Sequence, residues 1–195
     1  KSPREMHLKT KNDYLDFEHS SFGNAVMVNV FVANPDLNIC FVAKHSERHD
    51  VDKGYYQLAA EGYVHPELDL NEDKHPCIFK AAKRSIQRDM ASQETIHLFT
   101  EPIFLAFGID IRYASPHMLF ISTTALNLKD IRNLENENRY IFDGGFQALD
   151  YSEPENVDQF LKHTVSPANK VGLILGLRHL RPDLYSPEVS IDLCK

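Results

Sequence analysis

One stretch limits the folds open to this chain more than any other. Between Gly54 and Met90 an extended run, GYYQLAAEGYV, gives way to a carboxylate-rich loop, PELDLNEDKHP, and then to CIFKAAKRSIQRDM. In that last segment Phe79, Ala82, Ile86 and Met90 recur at spacings of three and four, which predicts a helix burying all four on one face. Pro76 suits the first turn of the helix, where its missing N–H costs nothing. Lys80, Lys83, Arg84, Gln87 and Arg88 are directed mostly elsewhere. A strand, a glycine turn, an acidic loop and an amphipathic helix thus follow one another, and whatever this protein binds is expected to meet it here.

The flanks supply the rest of a sheet. AVMVNVFVA from Ala25 and NICFVAKH after it are β-branched runs with partial alternation, separated by Asn34, Pro35 and Asp36, and they predict a hairpin. Downstream, ETIHLFTEPIFLAFGIDIRY and HMLFISTTAL read as two or three strands divided at Gly108 and at Ser115-Pro116, and LKDIRNLENENR as a polar, partly helical stretch. Asp143-Gly144-Gly145 between apolar runs signals another hairpin, because those residues tolerate positive φ. Two helices close the pattern. One runs from Glu153 to Thr164 with Val157, Phe160 and Leu161 inward; the other follows Ser166-Pro167 with Val171, Ile174, Leu177 and Leu180 inward, weakened by Gly172 and Gly176. The order of elements is that of an α+β domain with a mixed sheet. Its expected limits are 22–182, with a leader or linker over 1–21 and a tail over 183–195. A start at Lys1 is consistent with a processed chain or with a domain whose upstream neighbour is missing.

Composition bounds the partners. A chain of 195 residues, 43% hydrophobic, can bury one well-packed core. A net charge of −7 argues against a nucleic-acid surface spread over the molecule, since phosphate binding needs a cationic field. No apolar run approaches the ~20 residues that cross a bilayer, so no membrane partner is expected. Cys40, Cys77 and Cys194 are odd in number and far apart, which indicates neither a disulfide framework nor a metal knuckle; a reducing cytoplasm is the natural inference. A homo-oligomer stays open.

The central stretch resembles the motif of the Nudix hydrolases. There a strand ending in a glycine turn leads through a Gly-x5-Glu loop to a helix reading Arg-Glu-U-x-Glu-Glu-x-Gly, with U bulky and apolar. Here Tyr56-Gln57-Leu58 looks like the strand end, Ala59-Ala60-Glu61-Gly62 stands at the turn, and Ala81-Ala82-Lys83-Arg84 is similar to the Ala-Ala-x-Arg that opens the helix motif. The resemblance implies a Nudix-like fold, α+β with a mixed β-sheet sandwiched between helices. It also exposes departures at the chemistry. In register, Arg84 matches the motif arginine and Ile86 matches U, but Ser85 replaces the first glutamate, Arg88 replaces a metal-binding glutamate, Asp89 stands in for the next, and Ala91 takes the place of the closing glycine. The loop glutamate falls on Pro76, so a replacement must come from Glu67, Asp69, Glu72 or Asp73. In the family, clustered carboxylates hold Mg²⁺ that neutralises phosphates and activates water.

Two readings of these residues follow. Arg84 and Arg88, four apart, form either an ion-paired helix face tied to Asp89 and the acidic loop, or an anion clamp that needs no metal. The loop acids read as solvated or as metal ligands; Asp69-x-Asn71-x-Asp73 opens like a calcium loop but lacks its glycine and distal glutamate. His45 and His49 beside Asp50 sit in a loop, where four-residue spacing does not converge on a metal, and His97, His117 and His163 have no partner spacing. Tyr55, Tyr56, Tyr63, Phe104, Phe107 and Tyr113 read as core or as a base-stacking pocket. The function expected is a catalytically degenerate Nudix-homology domain acting as a ligand-sensing or interaction module, for a nucleotide or phosphorylated metabolite held through Glu61, Gly62, Arg84 and Arg88, without a cofactor. The alternative is a divergent hydrolase of nucleoside diphosphate derivatives using Mg²⁺, with Asp89 as a metal ligand.

Overall fold

The computed structural model describes residues 26–44, 55–110, 115–137 (side chains to 134), 145–163 and 165–186. The candidate groups His45, His49, Asp50, Tyr113, Asp143 and Gly144, and the leader over 1–21, lie outside them. At its centre is strand β1 (Met27–Asn34), which turns through a short 3₁₀ segment, Pro35–Leu37, into β2 (Ile39–Lys44). The Asn34 side chain accepts from Leu37 N–H and Asn38 takes the left-handed conformation at φ 52°, so the expected hairpin forms with the turn chemistry its sequence carries.

The run from Tyr55 to Tyr63 is not one strand. β3 (Tyr56–Leu58) pairs with β2, whereas β4 (Ala60–Tyr63) pairs with β1, and the chain changes partner at Ala59. β1 and β2 pair only at Val32–Asn34 with Ile39–Phe41 and then diverge; β3 and β4 fill the fork between them. A two-residue period does not reveal such a switch, because both halves keep an extended backbone. β5 (Ile103–Asp110) and β6 (Ser115–Thr123) form an antiparallel pair, and β6 lies parallel to β1 from Met27 opposite His117 to Ala33 opposite Thr123. β7 (Phe146–Asp150) closes the far side against β2, preceded by Gly145 at φ 60°. The sheet is mixed, in the order β3-β2-β1-β6-β5 with β4 on β1 and β7 on β2.

Helices cover both faces. Helix α1 (Ile78–Asp89) and helix α2 (Leu128–Glu137) lie on one side, packing Ala81, Ala82, Ile86 and Ile131 on Val28, Val30, Val32, Phe120 and Phe146. On the other side helix α3 (Pro154–Leu161) and helix α4 (Pro167–Leu180) set Val157, Leu161, Leu173, Ile174 and Leu177 on Phe31, Ala33, Leu58 and Ile121. Val28, Val30 and Val32 face one layer, and Phe31 and Ala33 the other. A strand buried on both faces reads as a continuous apolar run, which is why AVMVNVFVA alternates only in part.

Several expectations shift in detail. α1 begins at Ile78 after Cys77, so Pro76 precedes the cap, where Cys77 N–H donates to Asp69 O at 2.6 Å and fastens the loop end to the helix start. Phe79 is 48% exposed instead of buried, since its position in the first turn overhangs the sheet; its ring meets Phe120 edge-on. In α4 Val171 is exposed, and the buried stripe runs through Gly172, Leu173, Ile174, Gly176 and Leu177. The two glycines are close-approach points: a Cβ on Gly176 would sit 2.4 Å from the Phe31 ring, and one on Gly172 2.7 Å from Leu58 Cδ1. Past α4, a turn returns Tyr185 to the core, fully buried, with its hydroxyl donating to Tyr151 O at 3.0 Å.

Candidate functional site

The site is built where β4 passes α1. Gly62 on β4 faces Ser85 so closely that a Cβ there would lie 2.7 Å from Ser85 Oγ and 3.4 Å from Arg88 Nη1. Absence of a side chain at Gly62 is what lets strand and helix meet, and it brings Glu61 to the last turn of α1. There the Glu61 N–H donates to Asp89 Oδ2 at 3.2 Å. Arg88 reaches back over the same point: Nε donates to Asp89 Oδ1 at 2.5 Å and Nη2 to Asp89 Oδ2 at 2.7 Å, and Nη2 also donates to the Glu61 carbonyl. Asp89 is 4% exposed. Its burial pushes the carboxyl pKa up, opposed by the hydrogen bonds and charge of Arg88 and by the Glu61 N–H. Arg88 is held protonated more firmly than usual, chiefly by its hydrogen bonds to Asp89.

One turn earlier, Arg84 makes a two-point contact with Asp69, Nε to Oδ1 and Nη2 to Oδ2, each at 2.7 Å, and Nη2 also donates to Tyr63 O at 2.6 Å. Asp69 takes a further bond from His65 N–H at 2.7 Å. Burial alone would raise the Asp69 pKa, but the Arg84 hydrogen bonds, the His65 N–H and the Arg84 charge outweigh it and hold the carboxyl below its ordinary range. Of the four loop acids, Asp69 is therefore an internal anchor, 1% exposed, while Glu67, Glu72 and Asp73 stay on the surface. The ion-paired reading of the two arginines describes the geometry. Each guanidinium spends its Nε–Nη2 edge on a carboxylate, and among the described residues the Nη1 groups donate to nothing.

These donors do not fit a magnesium ion. The oxygens that converge on the turn, both of Asp89 and the Glu61 carbonyl, are already occupied by the Arg88 guanidinium. Beside them Ser85 donates to Ala81 O at 2.9 Å, a hydroxyl where a carboxylate would be needed. Among the described residues no three His, Cys, Asp or Glu side chains come together in a way that could hold a metal.

A second cluster lies on the opposite face of the same strands. His117 Nδ1 and Asn29 Oδ1 are 2.7 Å apart; Asn29 Nδ2 donates to Glu61 Oε2 at 3.1 Å and to Asn169 Oδ1 at 3.4 Å. Asn169 Oδ1 also accepts from Leu58 N–H at 3.1 Å, and its Nδ2 donates to Ser166 Oγ at 2.7 Å. Glu61 is thus held by its main chain on one face and by its side chain on the other. Sequence reasoning missed Asn29, Asn169 and Ser166. The available signal was Asn29, a single polar residue inside a β-branched run where a buried carboxamide must find partners. The aromatic candidates separate: Tyr56 packs edge-on against Phe160 at 5.0 Å, whereas Tyr63, Phe104 and Phe107 are exposed.

No family model matches the chain and no curated protein matches it by sequence. Solved structures do resemble it in shape. A mutT/nudix family protein from Listeria innocua superposes with a TM-score of 0.52 at 10% identity over 83% of this chain and 97% of that one. A Nudix hydrolase from Nitrosomonas europaea gives 0.51 at 8% identity over 86% and 95%. With the mixed sheet between two helical layers and the β4–α1 junction placed as described, the chain has the fold of the Nudix hydrolases.

Proposed function

We propose that this Nudix-fold domain is a binding module, not a hydrolase, and that it recognises a nucleotide or related phosphorylated metabolite at the β4–α1 junction. One observation carries the reading: the Arg88 guanidinium lies among the Asp89 and Glu61 oxygens, the position in which a hydrolase of this fold would need a divalent cation. A fixed cation of this kind offers charge to a phosphate without activating water. The two Nη1 groups, a helical turn apart on Arg84 and Arg88, are the donors left for an anion. Asp69 and Asp89 neutralise much of their field, so affinity rests on directed hydrogen bonds more than on net charge.

Calorimetry against nucleotides, nucleotide sugars and dinucleotides, run without metal and again with Mg²⁺, tests this. The expected result is binding without turnover in either condition, weakened about tenfold or more in Arg88→Ala, which corresponds to the loss of one charge-assisted contact of ~1.4 kcal/mol or more. Turnover that needs Mg²⁺ and disappears in Asp89→Asn would establish the hydrolase instead, and no binding across the whole panel would remove the phosphorylated ligand altogether.

A further inference from the structure

The loop that leads from β4 to α1 is closed by a side chain that can close it only while neutral. Past Tyr63 the chain turns at Pro66, Glu67 and Leu68. Pro66 supplies the fixed φ of a tight turn, and the place before it is one where Asp, Asn or Ser usually caps with a side-chain oxygen. An imidazole stands there instead. His65 Nδ1 accepts from Glu67 N–H at 3.2 Å and from Leu68 N–H at 3.3 Å. Both partners are main-chain N–H groups, which can only donate, so Nδ1 must present its lone pair and the ring proton must sit on Nε2. An imidazolium carries a hydrogen on each nitrogen and would aim one of them at two others. Protonation and capping therefore exclude each other.

What this turn places is Asp69. Leu68, the second capped residue, precedes it in the chain, and His65 is bonded to it twice through the main chain: Asp69 N–H donates to His65 O at 3.0 Å, and His65 N–H to Asp69 Oδ2 at 2.7 Å. The carboxylate so placed is the one on which Arg84 spends its Nε–Nη2 edge. The charges facing the imidazole are Glu67 within the turn, Asp69 at its end and, from α1, Arg84 on that same Asp69. The two carboxylates favour an imidazolium, whereas the guanidinium and the two N–H groups oppose it. His65 is exposed, so its proton exchanges with solvent, and imidazole is the side chain that ordinarily changes charge between about pH 5 and 8. Once charged, the ring leaves the two N–H groups and turns to Asp69, whose carboxylate its charge already reaches. Asp69 then answers to two cations in place of one.

We propose that His65 is a proton-operated latch on the β4–α1 loop: neutral, it caps the turn and seats Asp69 against Arg84; protonated, it frees the turn and loosens Asp69 from Arg84. Acid thus releases one of the two arginines of the site from its internal partner. The latch concerns how Arg84 is anchored and stands whether or not a phosphorylated ligand binds beside it, so its failure would leave that reading untouched.

Nuclear magnetic resonance of the whole chain over about pH 5 to 8 tests this. The expected result is that the amide nitrogens of Glu67 and Leu68 and the Arg84 Nε–H signal all move with the midpoint of the His65 ring. In His65→Asn, whose Oδ1 can accept the same two bonds and does not titrate, all three should stay at their neutral-pH positions throughout. His65 is on the surface, so the variant keeps the core intact. A His65 ring that titrates while the Glu67 and Leu68 amides stay still would overturn the proposal, because Nδ1 would not be their acceptor. Equal movement in wild type and His65→Asn would overturn it in favour of another titrating group, such as the neighbouring His75. Movement of the two amides without the Arg84 signal would overturn the link to the site.

Discussion

Arg84 and Arg88 share a helix face and a chemistry, yet their carboxylate partners respond to burial in opposite ways. Asp69 gains enough from Arg84 and the His65 N–H to stay below the ordinary carboxylate pKa, whereas burial of Asp89 outweighs what Arg88 returns. For Asp69 the folded pKa lies below the unfolded value of 3.8, so its stabilisation is complete above that pH and is lost as pH falls through the folded value. Asp69→Asn should therefore cost about 1.5–3 kcal/mol near neutrality, the range for a hydrogen bond to a charged group. The difference from wild type should shrink as acid protonates Asp69 in the native protein, measured by urea unfolding at a series of pH values. Asp89 runs the other way: a raised folded pKa means that ionising it costs stability as pH rises above the unfolded value. That Glu61, Gly62, Arg84, Arg88 and Asp89 belong to one stretch was legible in the sequence, and the structure brings them together where β4 passes α1. The partner of each arginine was not, because Asp69 lies fifteen positions from Arg84 across a loop whose path no periodicity encodes.

At the level of elements, the central helix was readable and its start was not. The three-four spacing of Ala82, Ile86 and Met90 locates the buried face of α1, and a loop ending in Pro76 suggests a first turn that the chain in fact begins two residues later. Its cap is Cys77, at φ −121° and ψ 112°, with no side-chain hydrogen bond to the helix. The backbone is set for capping but the thiol is a weak acceptor. Cys77→Ser should raise stability by ~0.5–1 kcal/mol, seen as a higher midpoint in thermal unfolding. The glycines of α4 show the reverse error: propensity marks Gly172 and Gly176 as weak points in a helix, while packing requires them against Leu58 and Phe31. Tertiary approach overrides local preference there. β3 and β4 were read as one extended segment because the change of partner at Ala59 leaves no mark on side-chain alternation.

Across the whole molecule, two apolar layers hold a single sheet, and the last described turn contributes to one of them. Tyr185, with a fully buried ring and its hydroxyl on Tyr151 O, packs with Cys40, Leu149 and Leu177. Tyr185→Ala should destabilise by about 3–5 kcal/mol, as for other buried aromatics, and Tyr185→Phe by about 1 kcal/mol for the lost hydrogen bond, both measured in denaturant. The layered α+β architecture was legible as a whole because β-branched runs and amphipathic helices alternate in the order such a sheet needs. What stayed hidden was the pairing of distant segments. β1 lies parallel to β6 with Met27 opposite His117, so the middle of the sheet closes only when segments ninety positions apart find their register. Local hairpins form early and cheaply, whereas this seam must wait for an improbable loop closure. Folding should accordingly be slow for a domain of this size, and substitutions along the β1–β6 seam should alter the rate at which the protein forms more than those within the β1–β2 turn.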